Sequence, residues 1–204
     1  LSLKKNRIKT QMFVAEGEKI VNELLNSKFE IEHIYATKFF SGINNCKKSA
    51  MTSVSKDELL KISSLVSPNN VLAIVKITHQ EVEKKSGITL VLDDINDPGN
   101  LGTIIRMCDW FGVKKLICSK STVDCYNPKV VQSAMGSLFR IDIKYLDLTN
   151  YLANINTSIY GAYMQGSDVK KQDFCSDVHL VMGNEANGIS ESIGKYITNK
   201  VSIK

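Results

Sequence analysis

Residues 89–113, TLVLDDINDPGNLGTIIRMCDWFGV, constrain the fold more tightly than any other stretch of the chain. An apolar run, Leu90-Val91-Leu92, leads through the turn Asp97-Pro98-Gly99-Asn100 into an amphipathic segment. Strand, glycine-containing turn and helix, in that order, is how α/β proteins present backbone N–H groups to a ligand. Asn100 suits the helix N-cap, and Ile104, Met107, Cys108 and Phe111 recur at helical spacing as the expected apolar face. Arg106 falls off that stripe, near Thr103 and Trp110, where a core helix has no use for a cation.

The same alternation runs through the rest of the chain. Strands are expected at 13–15, 31–37, 50–54 and 71–75, with a core-facing helix over 19–25. A second helix starts at Ser55, where Ser55-Lys56-Asp57-Glu58 spells a capping box. Residues 3–9, LKKNRIK, suit a short helix or a mobile arm, and Ser67-Pro68-Asn69-Asn70 is a turn. Residues 78–86 are polar with no apolar period, so the chain is expected to divide into 1–80, a linker at 81–87, and 88–204. Beyond the opening stretch, strands are expected at 115–118, 138–143, 158–164 and 178–182, with one more beginning at 201. Helices fall over 128–135, where Pro128 suits the first turn, and over 147–156. Repeated strand–helix alternation predicts a parallel sheet covered on both faces.

Hydrophobic and charged contents of 43% and 23% are ordinary for a soluble globular protein. No run approaches the roughly 18 apolar residues of a membrane span, and no signal peptide opens the chain, so a cytoplasmic protein is expected. The start lacks an initiator Met, which leads one to expect a few residues before Leu1. Cys46, Cys108, Cys118, Cys125 and Cys175 are scattered without a CxxC, and the three histidines are far apart; free thiols and no metal site are expected. The net charge of +5 lies wholly in the first part: residues 1–85 carry 14 Lys/Arg against 9 Asp/Glu, residues 86–204 carry 12 against 12. That asymmetry is compatible with a polyanion such as RNA, although on charge alone a solvated lysine-rich surface is the better account of it. Gly99 and Gly102 do not spell G-x-G-x-x-G, which argues against a nucleotide-dependent oxidoreductase.

Asn100-Leu101-Gly102 with Arg106 resembles the first signature motif of the SpoU (TrmH-like) ribose 2′-O-methyltransferases of RNA. A second match lies far downstream at residues 180–190, LVMGNEANGIS, and 127–137, NPKVVQSAMGS, resembles a further family stretch. Phe13…Glu16-Gly17 and Pro68…Val71-Leu72-Ala73 resemble the ribosomal-protein-like domain that precedes many SpoU domains; Asn70 stands where glycine is usual, but tolerates a left-handed backbone. The resemblance implies an α/β fold: a parallel-sheet, trefoil-knot SPOUT-type catalytic domain preceded by a small α/β domain. It implies a homodimer that methylates rRNA or tRNA with S-adenosylmethionine and no metal. It places Arg106, Asn100 and Glu185 at the reaction, and Met182, Gly183, Asn184 and Ile203 beside the cofactor. Arg7, Asn127, Lys129 and Ser133 are expected on the RNA side. The family's third motif, S-L-N-V-S-like, supplies much of the cofactor pocket and completes the knot; Ile203 looks like the residue before it, so this knot segment is expected to lie beyond Lys204 in a longer chain.

The chemistry fits those residue types. A sulfonium is already an excellent leaving group, so the protein must position two reactants and help a weakly acidic 2′-OH lose its proton. A guanidinium beside the hydroxyl and its neighbouring phosphate stabilises the developing alkoxide; free Arg stays protonated near neutrality, so this role suits Arg106 better than that of a base. With 23 Lys and three Arg in the chain, an Arg at this position suggests that its fork geometry is used. The competing expectation is an RNA-binding protein that keeps the fold without activity.

Overall fold

The computed structural model describes residues 1–42, 51–77, 87–174 and 176–204. Most of the expected linker, together with Cys46, His79 and Cys175, lies outside the described residues. Contacts divide the chain into two compact units that do not follow chain order. The first comprises Leu1–Gln80, Leu101–Arg106 and Asp124–Arg140; the second comprises Glu81–Asn100, Met107–Val123 and Ile141–Lys204.

The first unit opens with helix α1 (Lys4–Thr10), strand β1 (Met12–Glu16) and helix α2 (Glu18–Leu25). Strands β2 (Ile31–Ala36) and β3 (Met51–Ser53), helix α3 (Lys56–Ile62) and strand β4 (Val71–Lys76) complete a four-stranded sheet in the order β1-β4-β2-β3. Phe13, Ala15, Ile34, Ala36, Val71, Ala73 and Val75 alternate along the strands and are buried, as are Ile20, Val21 and Leu24 of α2. The capping box forms as expected: Glu58 N–H donates to Ser55 Oγ at 3.2 Å, and Ser55 N–H donates to Glu58 Oε2 at 2.8 Å. Asn70 does adopt the left-handed region, φ 56°.

Arg7 overturns its expected role. Its side chain is only 3% exposed and donates to Asp124 Oδ2 from Nε (2.9 Å) and Nη2 (2.6 Å). Nη1 donates to the carbonyls of Leu1 and Ser2, both at 2.8 Å. A buried guanidinium must be paired and hydrogen-bonded, and Asp124 satisfies that requirement, so Arg7 is a folding residue unavailable to RNA.

The opening stretch becomes strand β5 (Ile88–Asp93) and helix α4 (Pro98–Trp110), followed by strand β6 (Lys115–Ser119) and helix α5 (Pro128–Ala134). Asp97 caps α4, with Pro98 at the first helical position; Asn100 lies inside the first turn. The buried stripe of α4 is Leu101, Ile105 and Cys108, whereas Met107 and Phe111 are exposed. Moving the cap from Asn100 to Asp97 starts the helix three residues earlier than expected; Ile104 is half-buried and Cys108 alone of the expected four is buried. Leu138 and Phe139 form a 3-10 turn, Ser137–Arg140, rather than a strand, because positive φ at Met135 (52°) and Gly136 (91°) reverses the chain and both side chains are buried in succession. Strand β7 (Asp142–Leu146) starts after it.

Helix α6 (Leu148–Ala153), strand β8 (Ser158–Asp168), strand β9 (Val178–Gly183), the short helix α7 (Glu191–Gly194) and strand β10 (Asn199–Ser202) follow. The second sheet has the order β10-β8-β9-β5-β6-β7 and every pairing in it is parallel, as the alternation of strands and helices predicts. Val91, Ile117, Ile159 and Val181 of its central strands pack with Leu148, Leu152 and Ile193.

Candidate functional site

Sequence order along the second sheet reverses at one place. From β5 the chain steps outward to β6 and β7, then crosses to the other side, where β9 returns beside β5. In a parallel sheet this crossover leaves a crevice at the carboxyl ends of the two strands, where ligands bind. Asp93, ending β5, is level with Gly183, ending β9.

What fills those ends is a self-closed loop. Asn184 N–H donates to Gly188 O (3.0 Å), and Gly188 N–H donates back to Asn184 O (2.8 Å). Inside it, Asn184 Oδ1 accepts from the N–H groups of Ala186 (2.9 Å) and Asn187 (3.1 Å). Gly188 has φ +69°, a conformation that favours glycine. Gly183 is required for another reason: a Cβ there would lie 2.1 Å from the backbone carbon of Gly188. The clearance at Gly183 therefore admits the loop's own backbone.

Three bonds fasten this loop to the end of β5 and the start of α4. Asn184 Nδ2 donates to Asp94 O at 2.8 Å. Ser190 N–H donates at 2.8 Å to the carboxylate of Asp93, which is 6% exposed. Asn100 Nδ2 donates to Glu185 Oε1 at 2.7 Å, while its own N–H is held by Asp97 Oδ1 at 2.8 Å. The two signature motifs thus meet through Asn100 and Glu185. Glu185 is exposed, and a carboxylate tied through one oxygen retains lone pairs for a ligand's hydroxyl or amino group.

Arg106, farther along α4, is exposed and forms no ion pair among the described residues. Its guanidinium is available to an anion. Met182 and Ile203, at the ends of β9 and β10, expose apolar side chains, 37% and 88% respectively. Among the described residues no cluster of His, Cys, Asp or Glu has the makings of a metal centre.

The expected RNA-side residues of α5 are occupied locally. Asn127 caps the helix through Lys129 N–H (2.9 Å), and Ser133 Oγ donates to Lys129 O (2.6 Å). Lys129 itself is exposed. Gly102 has a packing role there: its missing Cβ would lie 2.3 Å from Ser133 Cβ and 2.9 Å from Val130 O, so α4 and α5 approach closely only with glycine at this point. Sequence reasoning missed Asp93 and Ser190. The available signal was an acid closing an otherwise apolar strand; a buried carboxylate needs a donor, and Ser190 N–H provides it.

Residues 87–204 match the SpoU rRNA Methylase family, and residues 1–73 match the MRM3-like substrate binding domain. Among curated proteins, the chain is 28% identical over 200 residues to the Bacillus subtilis 23S rRNA (guanosine(2553)-2′-O)-methyltransferase RlmP, covering 95% of this chain and 79% of that protein. It is 31% identical over 156 residues to mitochondrial rRNA methyltransferase 3 of Xenopus laevis, covering 69% of this chain but only 36% of that longer protein. Among solved structures, a putative RNA methyltransferase of the TrmH family from Porphyromonas gingivalis superposes with a TM-score of 0.89 at 28% identity, over 100% of this chain and 84% of that one. The family match covers more than half of the sequence and contains both motifs that meet at Asn100 and Glu185. This chain belongs to the SpoU rRNA methylase family.

Proposed function

We propose that this protein transfers a methyl group from S-adenosylmethionine to a ribose 2′-hydroxyl of rRNA or tRNA, with residues 1–80 engaging the RNA and 88–204 carrying the chemistry. The observation that carries this reading is the Asn100–Glu185 bond, which joins the two signature motifs at the crossover of a parallel sheet. The residues at the strand ends fit the methyl donor: Met182 and Ile203 offer apolar surface to an adenine ring, and Glu185 offers carboxylate lone pairs to its polar groups. Gly183 and Asn184 serve the same side indirectly, by holding the loop in shape. When bound, S-adenosylmethionine supplies a methyl already activated by its sulfonium.

The remaining work belongs to the chain. The Arg106 guanidinium attracts the ribose oxygen as it gains charge and grips the adjoining phosphate. Lys129, exposed at the start of α5, adds a further phosphate contact. The protein acts as a homodimer; supporting this, the end of α4 exposes the large apolar side chains of Met107 (53%), Trp110 (86%) and Phe111 (73%), which a subunit contact would cover. Its buried cysteines Cys108, Cys118 and Cys125, none of them in a disulfide, suit the reducing cytoplasm.

The test is transfer of labelled methyl from S-adenosylmethionine to total rRNA and tRNA, with the product read as 2′-O-methylribose after nuclease digestion. Label in that nucleoside is expected. RNA binding without transfer to any pool would favour a binding protein that only retains the fold.

A further inference from the structure

The first unit holds a large aromatic ring out in water. Phe39 is 59% exposed, although its neighbour Phe40 is 2% exposed and anchors the chain. The backbone here is fixed: Phe39 N–H donates to Thr37 Oγ1 at 3.3 Å, and Phe40 N–H donates to Thr37 O at 3.1 Å. Thr37 is itself 3% exposed and bonds to Asn70, through Oγ1 to Oδ1 at 3.1 Å and through its N–H to Asn70 O at 2.8 Å. The exposed ring is thus a built feature of an ordered turn. Two cations attend it: the ammonium groups of Lys38 and Lys56 each lie 5.3 Å from its centroid.

Lys56 also lines a cavity of about 410 Å³ with Leu60, Val66, Pro68 and Asn69. Leu60 is 52% exposed and Val66 97% exposed, so among the described residues the apolar lining is left open. The volume lies at the small end of the range for ligand sites. Asp57 is at the same rim, and Glu18 nearby is already engaged by Asn70 Nδ2 (2.6 Å) and Ser41 Oγ (2.9 Å), hydrogen bonds that lower its carboxyl pKa. An apolar slot, a side-chain amide, an exposed aromatic ring and two flanking ammonium groups together match one chemistry. A nucleobase stacks on the ring or slides into the slot, and its phosphates replace the ring as partners of the lysines.

We propose that this surface of the N-terminal unit captures an unpaired nucleobase of the RNA substrate, with Phe39 as the stacking platform, Leu60 and Val66 as the apolar wall, and Lys38 and Lys56 as the phosphate contacts. The proposal rests on the reading of the protein as an RNA methyltransferase, and extends it by making a single-stranded nucleotide, rather than helical RNA, what the N-terminal unit recognises. Duplex RNA keeps its bases stacked on one another and offers no face to Phe39.

The experiment is fluorescence anisotropy of the full chain with a labelled unstructured RNA of about 12 nucleotides, and with the same RNA annealed into a blunt duplex. The single strand is expected to bind at least about tenfold tighter. Phe39→Ala should weaken single-strand binding by about tenfold and leave duplex binding unchanged, whereas Phe39→Trp should retain it. Lys38→Gln and Lys56→Gln should each lower the slope of log affinity against log salt by somewhat less than one. Equal binding of single strand and duplex, or unchanged affinity in Phe39→Ala with the wild-type melting temperature, overturns the proposal. Failure of the wild-type chain to bind either RNA or to methylate rRNA or tRNA would instead remove the functional reading on which it stands.

Discussion

Arg7 and Arg106 carry the same side chain into opposite circumstances. Around α1, every arm of Arg7 is spent: Nε and Nη2 on Asp124, Nη1 on two carbonyls, with 3% of the residue exposed. On α4, Arg106 stands in water with no ion pair among the described residues. A guanidinium fully engaged inside the fold contributes to folding, and one left unengaged has its donors free for a ligand. Residue type does not separate the two cases; only the surroundings do.

That contrast can be broken by paired substitution. Arg7→Ala should leave the Asp124 carboxylate without its partner and cost about 3–5 kcal/mol of stability, read as a lowered denaturant midpoint. Arg106→Ala should leave the midpoint within about 0.5 kcal/mol of wild type while lowering methyl transfer about a hundredfold or more at retained RNA affinity. A melting shift in the second variant as large as in the first would show Arg106 to be structural. Gly183→Ala sharpens the same division within the site. The added carbon meets the Gly188 backbone at 2.1 Å, so the loop must shift, at a cost of about 1–3 kcal/mol. Affinity for the methyl donor, measured by calorimetry, should fall while single-strand RNA affinity holds; loss of both together would mean that the damage is global.

The smallest expected effect concerns His179 in the second sheet. Its ring is 9% exposed, bonded through Nε2 to Tyr151 OH (2.9 Å) and through Nδ1 to Thr157 Oγ1 (3.0 Å). Burial first, and Lys115 second, push its pKa below the ordinary value; Asp177 opposes them. Above about pH 6.5 the ring is neutral folded or unfolded, so its contribution is constant. As pH falls through that value the unfolded chain takes a proton that the folded chain resists, and stability declines, by at most about 1.4 kcal/mol per pH unit for one site. Chemical denaturation between pH 7 and pH 5 should show this slope, and His179→Gln should flatten it. An unchanged slope in the variant would assign the acid sensitivity to other groups.

Periodicity and caps revealed most of the framework. Parallel alternation, the Ser55 capping box and the Pro128 helix start all rest on local chemistry, and each is present. The misplaced features share one cause, which is that burial depends on partners distant in sequence. Asn100 was expected to cap α4 because it is a good capping residue, yet Asp97 immediately before Pro98 is better placed and leaves the Asn100 side chain for Glu185. Arg7 looked like part of a basic arm because Asp124 is 117 positions away. Gly102 was recognised by its place in a motif, but its reason, the backbone of α5 lying against it, belongs to tertiary packing. Asp93 and Ser190 show the same limit, since a donor 97 positions away decides whether a buried acid is tolerable.

The loop from Asn184 to Gly188 has a consequence for how such a site changes over time. Its closure depends on backbone groups, on the Asn184 side chain and on two glycines, and on no side-chain atom of residues 185–187. Variation is therefore partitioned: positions 183, 184 and 188 are fixed by geometry, whereas the three at the tip are at liberty to be exchanged without reopening the ring. Glu185 is one of those three. The residue that reaches across to the first motif is mounted on a tip whose closure does not depend on it, so exchanging it would cost the bond to Asn100 but not the ring.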